Sequence, residues 1–385
     1  MKKVILLVHQ AADLYGSDRV LLSLVCRLDK ETFSPIVLLP VDGPLRQELD
    51  KAGIECHIVA ITRLARATLS LRGLLRLPAD LIKSLRAIDR VLAGRKVDLV
   101  HTNTLAVLSA PLWARWRRVS HIWHVHEIIV RPKLVRRAYG YLLDWFSVRI
   151  LCVSHATKTN LEQDRPVLAN KIEVVWNGLE RGSVMDVHAV LNYREQMHID
   201  EKEILVALVG RINRWKGQTL LVEAANLLWD QHVRNIRYLF VGSAPNGQEH
   251  FVEELRRCID KSPAKASFIV QGFTVNLWTV WDACDIAVIP STEPEPFGMV
   301  AIEAMAAARP VVAADHGGVA EIVVDGKTGF LVLPNSAPAL ANSIRELAID
   351  ASLRKEMGLA GHTRYLKEFH LGSYVEYMEK IYENL

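Results

Sequence analysis

The chain has 385 residues, of which 50% are hydrophobic and 23% are charged, and its net charge is +4. Its longest apolar runs have the length of β-strands and fall far below the roughly 20 residues that cross a bilayer, which excludes a membrane-spanning helix. The length favours two domains of ordinary size. The N-terminus leads directly into a strand and carries no small-residue cleavage site, so we expect no signal peptide and a cytoplasmic location.

Charge is distributed unevenly along the chain. Residues 1–180 hold 27 Lys and Arg against 17 Asp and Glu, a net charge of +10, while the remaining residues have a net charge of −6. A basic half indicates an anionic partner, which could be a phosphorylated small molecule, nucleic acid or a membrane surface. The five cysteines stand singly without CxxC spacing, as expected for free thiols in a reducing compartment.

Short apolar runs alternate with amphipathic stretches along the chain, and this pattern predicts an α/β protein. The predicted strands are, in order, VILLVH, SPIVLLP, ECHIVAI, VDLVHT, SHIWHVH, RILCVS, ILVALVG, IRYLFVG, ASFIVQG, DIAVIP, RPVVAAD and GFLVL. Near-continuous apolar strands separated by helices are typical of parallel sheets covered on both faces. Asn177-Gly178 breaks the series, so we expect one Rossmann-like domain over residues 1–178 and a second over residues 179–370. Residues 371–385 are predicted as a closing helix that packs back on the first domain.

Ligands of Rossmann-like units bind outside the carboxyl ends of the strands, so the loops there are the candidates for function. ILVALVG is followed by RINRWKGQTLL, which places Arg211 and Lys216 between Gly210 and a predicted helix. Two cations and the N–H donors of a helix start suit a diphosphate, although a solvated cationic loop is the alternative. Neither a P-loop nor a GxGxxG turn is present, which weakens an oxidoreductase interpretation.

A second candidate loop, STEPEP, follows the predicted strand DIAVIP. We expect a helix to begin near Phe297 and Gly298 with its free N–H groups towards the same ligand, and Gly298 permits close backbone approach. Glu295 can accept hydrogen bonds from sugar hydroxyls, and Glu303 can hold a vicinal diol such as a ribose. Alternatively, Glu295 supports the helix dipole and Glu303 is exposed. The apolar neighbours of Glu303 favour a ligand or partner, because an unpaired buried carboxylate is unfavourable.

Three histidines, His121, His124 and His126, lie on one predicted strand. The alternation of side chains directs His124 and His126 to the same face. A metal site needs more convergent ligands than these two and Glu127 supply, so we expect no metal.

The chain resembles the retaining glycosyltransferases of family 4, of the bacterial surface-polysaccharide type. EPFGMVAIEAMAAARPVVAADHGGVAEIVVDGKTGFLV resembles their E-x7-E region, and VGRINRWKGQTLLVEA resembles their diphosphate loop. The resemblance implies an α/β GT-B fold, in which two Rossmann-like domains with parallel sheets face each other across a deep cleft. It also implies a nucleotide-diphosphate-sugar donor, no cofactor, and metal-independent transfer with retention of configuration by a front-face route.

The resemblance further implies roles for individual residues of the second half. Arg211 and Lys216 would neutralise the donor diphosphate, and Glu303 would hold the ribose. VQGFT matches the loop near the base. Sugar and phosphate would contact Glu295 and the main chain of Phe297, Gly298, Met299 and Val300, and the base would contact Gly272 and Phe273.

In the first half, YGSDRVLLSL resembles the glycine-rich first loop of the family. Tyr15 replaces its first glycine and Asp18 its acid, while Gly16 is kept, so close phosphate approach remains possible. HVHE matches the strand-end histidine of the family, which makes His126 the candidate that touches the donor sugar near the reacting centre, with Glu127 beside it. A purely structural histidine is the alternative. The predicted catalytic residues are therefore His126, Arg211, Lys216 and Glu295.

The acceptor is indicated only by the charge of the first half. Residues 63–96 carry nine Lys and Arg against two Asp among leucines, and WARWRR and RPKLVRR add further cations. Such helices suit an anionic membrane surface, although cationic side chains that snorkel over an ordinary helix are the alternative. No nucleic acid is expected, because no recognised fold or aromatic platform accompanies the charge.

We therefore expect transfer of a hexose-type sugar to a glycan or polyprenyl-linked acceptor at the inner face of the cell membrane. A non-catalytic subunit that binds nucleotide sugar is one alternative. An epimerase or phosphorylase-like enzyme of the GT-B fold is another.

Overall fold

The computed structural model describes residues 2–64, 68, 70–274 and 276–385. Residues 65–67 and 69, part of the basic segment predicted over 63–96, lie outside the described residues. The chain divides into two compact units by its internal contacts. Unit 1 is Met1–Gly178 with Leu371–Leu385, and unit 2 is Leu179–His370.

Unit 1 is built on a seven-stranded sheet whose neighbouring strands all run parallel. The strand order is β3-β2-β1-β4-β5-β6-β7. The central strands are continuous apolar runs, such as Ile5, Leu6, Leu7 and Val8 at 0% exposure, as expected for a sheet covered on both faces. The strands are β1 (Lys3–His9), β2 (Phe33–Leu39), β3 (Glu55–Ile58), β4 (Leu99–Asn103), β5 (Ser120–Val125), β6 (Arg149–Cys152) and β7 (Ile172–Val174).

Helices connect these strands, and the C-terminal helix returns to the same sheet. Tyr382 of this last helix is buried, and its ring packs edge-on against Phe33 at 6.0 Å between centroids. Lys3 Nζ donates to the Tyr382 carbonyl at 2.7 Å. The helices of unit 1 are α1 (Gly16–Arg27), α2 (Pro44–Lys51), α3 (Leu71–Leu92), α4 (Ser109–Arg117), α5 (Lys133–Phe146), α6 (His155–Glu162) and, at the C-terminus, α15 (Leu371–Glu383).

Unit 2 is also built on a parallel sheet, which has six strands in the order β10-β9-β8-β11-β12-β13. Its strands are β8 (Ile204–Val209), β9 (Ile236–Val241), β10 (Phe268–Gln271), β11 (Ile286–Ile289), β12 (Val311–Ala314) and β13 (Gly329–Val332). Its helices are α7 (Val187–Gln196), α8 (Gln218–Asp230), α9 (His250–Asp260), α10 (Leu277–Ala283), α11 (Met299–Ala306), α12 (Val319–Ile322), α13 (Ala337–Ile349) and α14 (Ala351–Arg364).

Each sheet reverses its strand order between the first and fourth strands of its unit, at β1/β4 and at β8/β11. Loops diverge at such a switch point and leave a crevice at the carboxyl ends of the strands, where ligands of doubly wound sheets bind. The predicted α/β architecture with two parallel Rossmann-like sheets is confirmed. None of the described helices has both the length and the apolar character that crossing a bilayer requires.

Candidate functional site

The loop between β8 and α8 is held in place by its own side chains and by the neighbouring loop after β11. Asn213 Oδ1 accepts hydrogen bonds from the backbone N–H of Trp215 and Lys216, at 3.2 and 3.1 Å. The Trp215 carbonyl accepts from the Thr292 N–H at 2.7 Å, which joins the two loops. Arg211 follows β8 in the same loop with an exposed side chain, and its carbonyl accepts from Gln218 Nε2 at 3.1 Å.

Two glycines allow the loops to approach this closely. Gly217 caps α8 with φ of +78°, and a Cβ there would lie 2.1 Å from the Pro290 carbonyl oxygen. Gly317 has φ of +68°, and a Cβ there would lie 2.5 Å from the Glu295 carbonyl oxygen. Any other residue would strain the backbone and displace the facing loop. These contacts fix where Glu295 stands relative to β8.

Lys216 and Glu295 form the main ion pair of this region. Lys216 Nζ donates to Glu295 Oε1 at 2.7 Å, and the two side chains are only 13% and 5% exposed. The Ser291 hydroxyl donates to the same carboxylate, and Lys216 Nζ lies 4.6 Å from the centre of the Trp215 ring. A largely buried pair persists only when its partners are fixed in good geometry. The structure thus brings together two of the predicted site residues, which are 79 positions apart in sequence.

Helix α11 begins just after Glu295, close to the start that the sequence predicted. Gly298 caps it with φ of +121°, and the side chain of Phe297 is buried, its ring 6.1 Å from that of Phe369. Phe297 therefore offers a ligand its main chain rather than its side chain. Met299 and Val300, both half-buried, form the first turn, whose N–H groups lack partners within the helix.

Glu303 is the fifth residue of this short helix and is 6% exposed. Trp281 Nε1 of α10 donates to Glu303 Oε2 at 3.3 Å. The buried setting inferred from its apolar neighbours is thus correct, and Trp281 of the protein itself contacts its carboxylate. The remaining predicted residues, Gly272 and Phe273, follow edge strand β10, and both are exposed, Phe273 at 52%.

In unit 1 the carboxyl ends of β1, β4 and β5 carry a chain of hydrogen bonds. His9 Nε2 lies 2.5 Å from Asp18 Oδ1, and His9 Nδ1 lies 2.9 Å from Asn103 Nδ2. Asn103 Oδ1 lies 2.9 Å from His126 Nε2. His9 and Asn103 are opposite each other in the β1/β4 register, which explains the contact. The chain ends at His126, the predicted sugar-contacting residue.

Asp18 also joins this network to the start of α1. Its second oxygen accepts from the Tyr15 N–H at 2.9 Å, just before Gly16, the exposed first residue of the helix. The replacement of the family's acid by Asp18 therefore leaves a carboxylate that caps the loop. It also faces His9, a contact that the sequence did not predict.

Further imidazole rings pack against each other beside this chain. The His124 ring lies 4.2 Å from that of His126 and 5.4 Å from that of His101, between centroids. Burial lowers the pKa of His101, His121 and His126 to about 3, and it also lowers the pKa of His124 well below the usual value. These rings are therefore neutral at physiological pH. Both nitrogens of His124 are buried without a hydrogen-bond partner among the described atoms.

Glu127 is a carboxylate beside these rings whose pKa shifts upward. Burial raises the pKa of Glu127 to about 7, against the lowering effect of hydrogen bonds that it accepts from backbone N–H groups. Those donors are Leu105, at 3.1 Å and 3.2 Å from the two oxygens, and His126, at 3.0 Å. A carboxyl group with such a pKa exchanges its proton near neutral pH.

Comparison with known proteins assigns the family. Two protein-family models match the chain, one described as Glycosyl transferases group 1 over residues 190–364 and one as Glycosyltransferase Family 4 over residues 15–181. Alpha-maltose-1-phosphate synthase of Mycolicibacterium smegmatis is 33% identical over 317 residues, which cover 74% of this chain and 79% of that protein. The chain belongs to the family 4 glycosyltransferases.

Solved structures agree on the fold of this glycosyltransferase. HepE of Anabaena, in complex with UDP-glucose, matches 99% of this chain and 100% of its own with a TM-score of 0.85 and 23% identity. WaaG, described as a glycosyltransferase involved in lipopolysaccharide biosynthesis, matches with a TM-score of 0.72 and 16% identity over 98% of this chain and 99% of its own. The predicted GT-B class is therefore confirmed, as is the prediction of an enzyme.

Sequence reasoning missed several residues that shape the two polar regions of the glycosyltransferase. In unit 2 these are Ser291, Gly317 and Trp281, and in unit 1 His9 and Asn103. His9 could have been found because it is the polar residue that ends an apolar strand, and Asn103 because it ends the neighbouring buried strand. Trp281 stands 22 positions before Glu303 with no shared pattern.

Proposed function

We propose that this glycosyltransferase moves a hexose-type sugar from a nucleotide-diphosphate-sugar donor to a glycan or polyprenyl-linked oligosaccharide, with retention of anomeric configuration and without a metal. The observation that carries the proposal is the buried pair of Lys216 and Glu295 at the β8/β11 switch point. Such a crevice is where nucleotides bind in doubly wound sheets.

Charge development on the leaving group requires a cationic environment. As the bond to the sugar breaks, negative charge grows on the nucleoside diphosphate, and fixed donors stabilise it most where water is excluded. Lys216 is fixed by Glu295, and Arg211 extends from the same loop. The starts of α8 and α11 add backbone N–H groups with positive partial charge. Together these groups take the place that a metal ion has in other transferases.

The remaining contacts follow from the family resemblance. Glu295 and the main chain from Gly298 onward hold the sugar and phosphate, and Glu303 holds the ribose. Gly272 and Phe273 contact the base. From unit 1, His126 contacts the donor sugar, and Gly16 allows a phosphate to approach. The low exposure of Glu295 and Glu303, 4% and 6%, supports roles for both beyond a solvated surface.

The reaction proceeds on the face of the sugar from which the leaving group departs. The acceptor hydroxyl oxygen forms the new bond to the anomeric carbon as the bond from that carbon to the phosphate oxygen breaks. The hydroxyl proton passes to a phosphate oxygen of the departing nucleoside diphosphate, so no protein carboxylate acts as a nucleophile. Retention of configuration follows from attack on the same face.

A transfer assay with a panel of UDP, GDP, ADP and dTDP sugars tests this proposal. We expect one donor class to give product in the presence of EDTA, with the anomeric configuration of the donor preserved in the proton NMR spectrum of the product. Donor binding should raise the melting temperature, since a ligand at 100 times its Kd adds about 2.7 kcal/mol to stability. An inverted product, or activity that EDTA abolishes and Mg²⁺ restores, would contradict it.

The proposal also places the enzyme on an anionic membrane, at the inner face of the cytoplasmic membrane, through α3. Every described side chain from residue 72 to residue 83 is exposed or half-buried, including the apolar Leu75 at 76% and Ile82 at 51%. Lys83 and Arg86 line an open groove between this helix and edge strand β3. Apolar side chains flanked by cations suit the headgroup layer of an anionic bilayer.

Co-sedimentation with vesicles tests the membrane surface. We expect binding to phosphatidylglycerol vesicles that weakens with salt, and no binding to phosphatidylcholine vesicles. Leu75→Glu should abolish the binding. The matched control is Ile349→Glu, which changes an equally exposed residue, also at 76%, in unit 2 and should leave binding unchanged. Equal loss in both variants, or binding that ignores lipid charge, would refute the assignment of α3.

A further inference from the structure

The hydrogen-bond chain from Asp18 to His126 contains enough fixed donors and acceptors to assign the tautomer of every ring in it. Its first member is Asp18, whose carboxylate accepts the Tyr15 N–H at one oxygen and faces His9 Nε2 at the other. A carboxylate only accepts hydrogen bonds, so Nε2 of His9 carries a proton. Asp18 and His9 are 3% and 0% exposed, so solvent does not supply an alternative partner.

The second member is the side-chain amide of Asn103. In a neutral His9 with a proton on Nε2, Nδ1 is a bare acceptor and requires a donor. The amide nitrogen of Asn103 lies 2.9 Å away and fills that role. The main-chain carbonyl oxygen of Asn103 lies 3.3 Å from the same Nδ1 and can accept only if Nδ1 is protonated. The 2.9 Å contact is a hydrogen bond when Nδ1 of His9 carries no proton, and the 3.3 Å contact becomes one only when Nδ1 is protonated.

The third member is His126 itself. With the Asn103 amide nitrogen turned to His9, its oxygen faces His126 Nε2 at 2.9 Å, so Nε2 donates. His126 is neutral, because burial lowers its pKa to about 3. Its single proton is then on Nε2, and Nδ1 is left as an acceptor. No described residue forms a hydrogen bond with Nδ1 of His126.

We propose that Asp18, His9 and Asn103 are positioning residues that lock His126 in the tautomer with the proton on Nε2, so that Nδ1 accepts a hydrogen bond from a hydroxyl of the donor sugar. The role at the sugar rests on the proposed function, whereas the tautomer does not. The loop that carries Gly16 and the ring that contacts the sugar are thereby coupled through hydrogen bonds alone.

Long-range proton–nitrogen correlation NMR of ¹⁵N-histidine-labelled protein reads each ring directly and requires no donor. The signals of His126 are assigned by their loss in His126→Gln. We expect the Nε2–H tautomer for both His126 and His9 at neutral pH. An Nδ1–H tautomer at His126 would overturn the proposal, because it requires the Asn103 amide to face the other way.

Asp18→Asn provides the sharper test, since it should invert a ring that it does not touch. The Tyr15 N–H still needs an oxygen, so the new amide turns its nitrogen to His9 Nε2. His9 must then carry its proton on Nδ1, the Asn103 amide turns round, and His126 becomes the Nδ1–H tautomer. Persistence of the Nε2–H form at His126 in this variant would refute the coupling.

Asn103→Asp is a second variant for the NMR test if Asp18→Asn does not fold. Its carboxylate accepts from both neighbours, so His126 stays in the Nε2–H form while His9 gains a proton on Nδ1. A His126 ring in the Nδ1–H form would overturn the proposal in this variant.

Kinetic measurements test whether the tautomer of His126 matters for its proposed contact with the donor sugar. We expect Asp18→Asn to lower kcat/KM for the donor about 10- to 100-fold, as for a mispaired buried hydrogen bond. The control Asp13→Asn removes the same charge from an exposed residue of the same loop and should leave both the tautomer and the rate unchanged. An inverted tautomer with an unchanged rate would remove the role at the sugar. Absence of transfer by the wild type would refute the proposed function, but the NMR test of the His126 tautomer would still be decisive.

Discussion

The two sheets share the same strand order up to their sixth strand, but the polar groups at their carboxyl ends differ in kind. At β8/β11 of unit 2, the buried polar groups are a cation and an anion, Lys216 and Glu295, in direct contact. At β1/β4 of unit 1, they are imidazoles linked by the amide of Asn103, and Asp18 lies against His9 at one end. Both arrangements limit the cost of buried charge, one by pairing opposite charges and the other mainly by keeping imidazoles uncharged.

Because of this difference, we expect the two regions to respond differently to substitution and to pH. An ion pair is sensitive to truncation, because removal of one partner leaves a buried charge. A cluster of neutral histidines is sensitive to acid, because the unfolded chain binds protons that the folded chain does not. We therefore expect substitutions in unit 2 to act mainly on catalysis and pH to act mainly on unit 1.

Glu295→Ala should give the largest effect. Loss of the carboxylate removes a proposed sugar contact and frees Lys216 from its fixed position, so we expect kcat to fall about 10²- to 10³-fold, as for loss of one preorganised group in an active site. The unpaired Lys216 should also lower the free energy of unfolding by about 3 kcal/mol. Both quantities are measured on the purified variant, by initial rates and by urea unfolding.

The matched control for this substitution is Glu293→Ala, two residues earlier in the same loop. Glu293 pairs with Arg214, and the two side chains are 38% and 69% exposed. An exposed pair contributes about 0 to 1 kcal/mol, so neither the rate nor stability should change much. Equal effects of both substitutions would show that the loop as a whole, and not the buried pair, is responsible.

Acid should destabilise the protein through the imidazoles of unit 1. Histidines titrate near 6.5 in an unfolded chain, while burial lowers the pKa of His101, His121 and His126 to about 3. Between these values the unfolded chain binds more protons, so this stabilisation is complete above about pH 6.5 and is lost as the pH falls towards 3. Each histidine contributes up to about 1.4 kcal/mol per pH unit. Urea unfolding at pH 7, 6 and 5 measures this loss of stability, and a free energy of unfolding that does not change with pH would contradict the prediction.

The sequence predicts the scaffold of both regions far better than their contacts. Continuous apolar runs reveal the strands, because a strand buried on both faces has no polar position to alternate. The spacing of Glu295 and Glu303 around a helix start predicts the polar loops of unit 2, and there Lys216 does contact Glu295.

The network of unit 1 could not be predicted in the same way. Its members, His9, Asp18, Asn103 and His126, come from four separate segments, and only the strand order brings them together. Strand order is set by how helices pack over the sheet, and a single sequence does not encode it as a local pattern. Polar residues at strand ends identify candidates but not pairs.

Glu127→Gln should sharpen the comparison by removing a group of unit 1 whose pKa shift has the opposite effect on stability to that of the histidines. Burial raises the pKa of Glu127 to about 7, so in the folded protein it holds a proton that the unfolded chain releases near 4.5. Its contribution to stability is therefore complete below about 4.5 and is lost as the pH rises through 7. The difference in unfolding free energy, variant minus wild type, should grow by roughly 3 kcal/mol from pH 4.5 to 7. A constant difference across that range would show that Glu127 is ionised in the folded protein.

His124→Leu is expected to have the smallest effect, and its sign is informative. His124 is 0% exposed, and the described atoms offer no partner to either of its nitrogens, so a leucine of similar volume removes two unpaired polar atoms. We expect the free energy of unfolding at pH 7 to rise by about 1 kcal/mol. His121→Leu is the control, because His121 contacts Thr102 and the Phe146 carbonyl, and its loss should lower stability. If His124→Leu lowers stability as much as His121→Leu, His124 has a hydrogen-bonded partner, and neutrality alone does not explain the cluster.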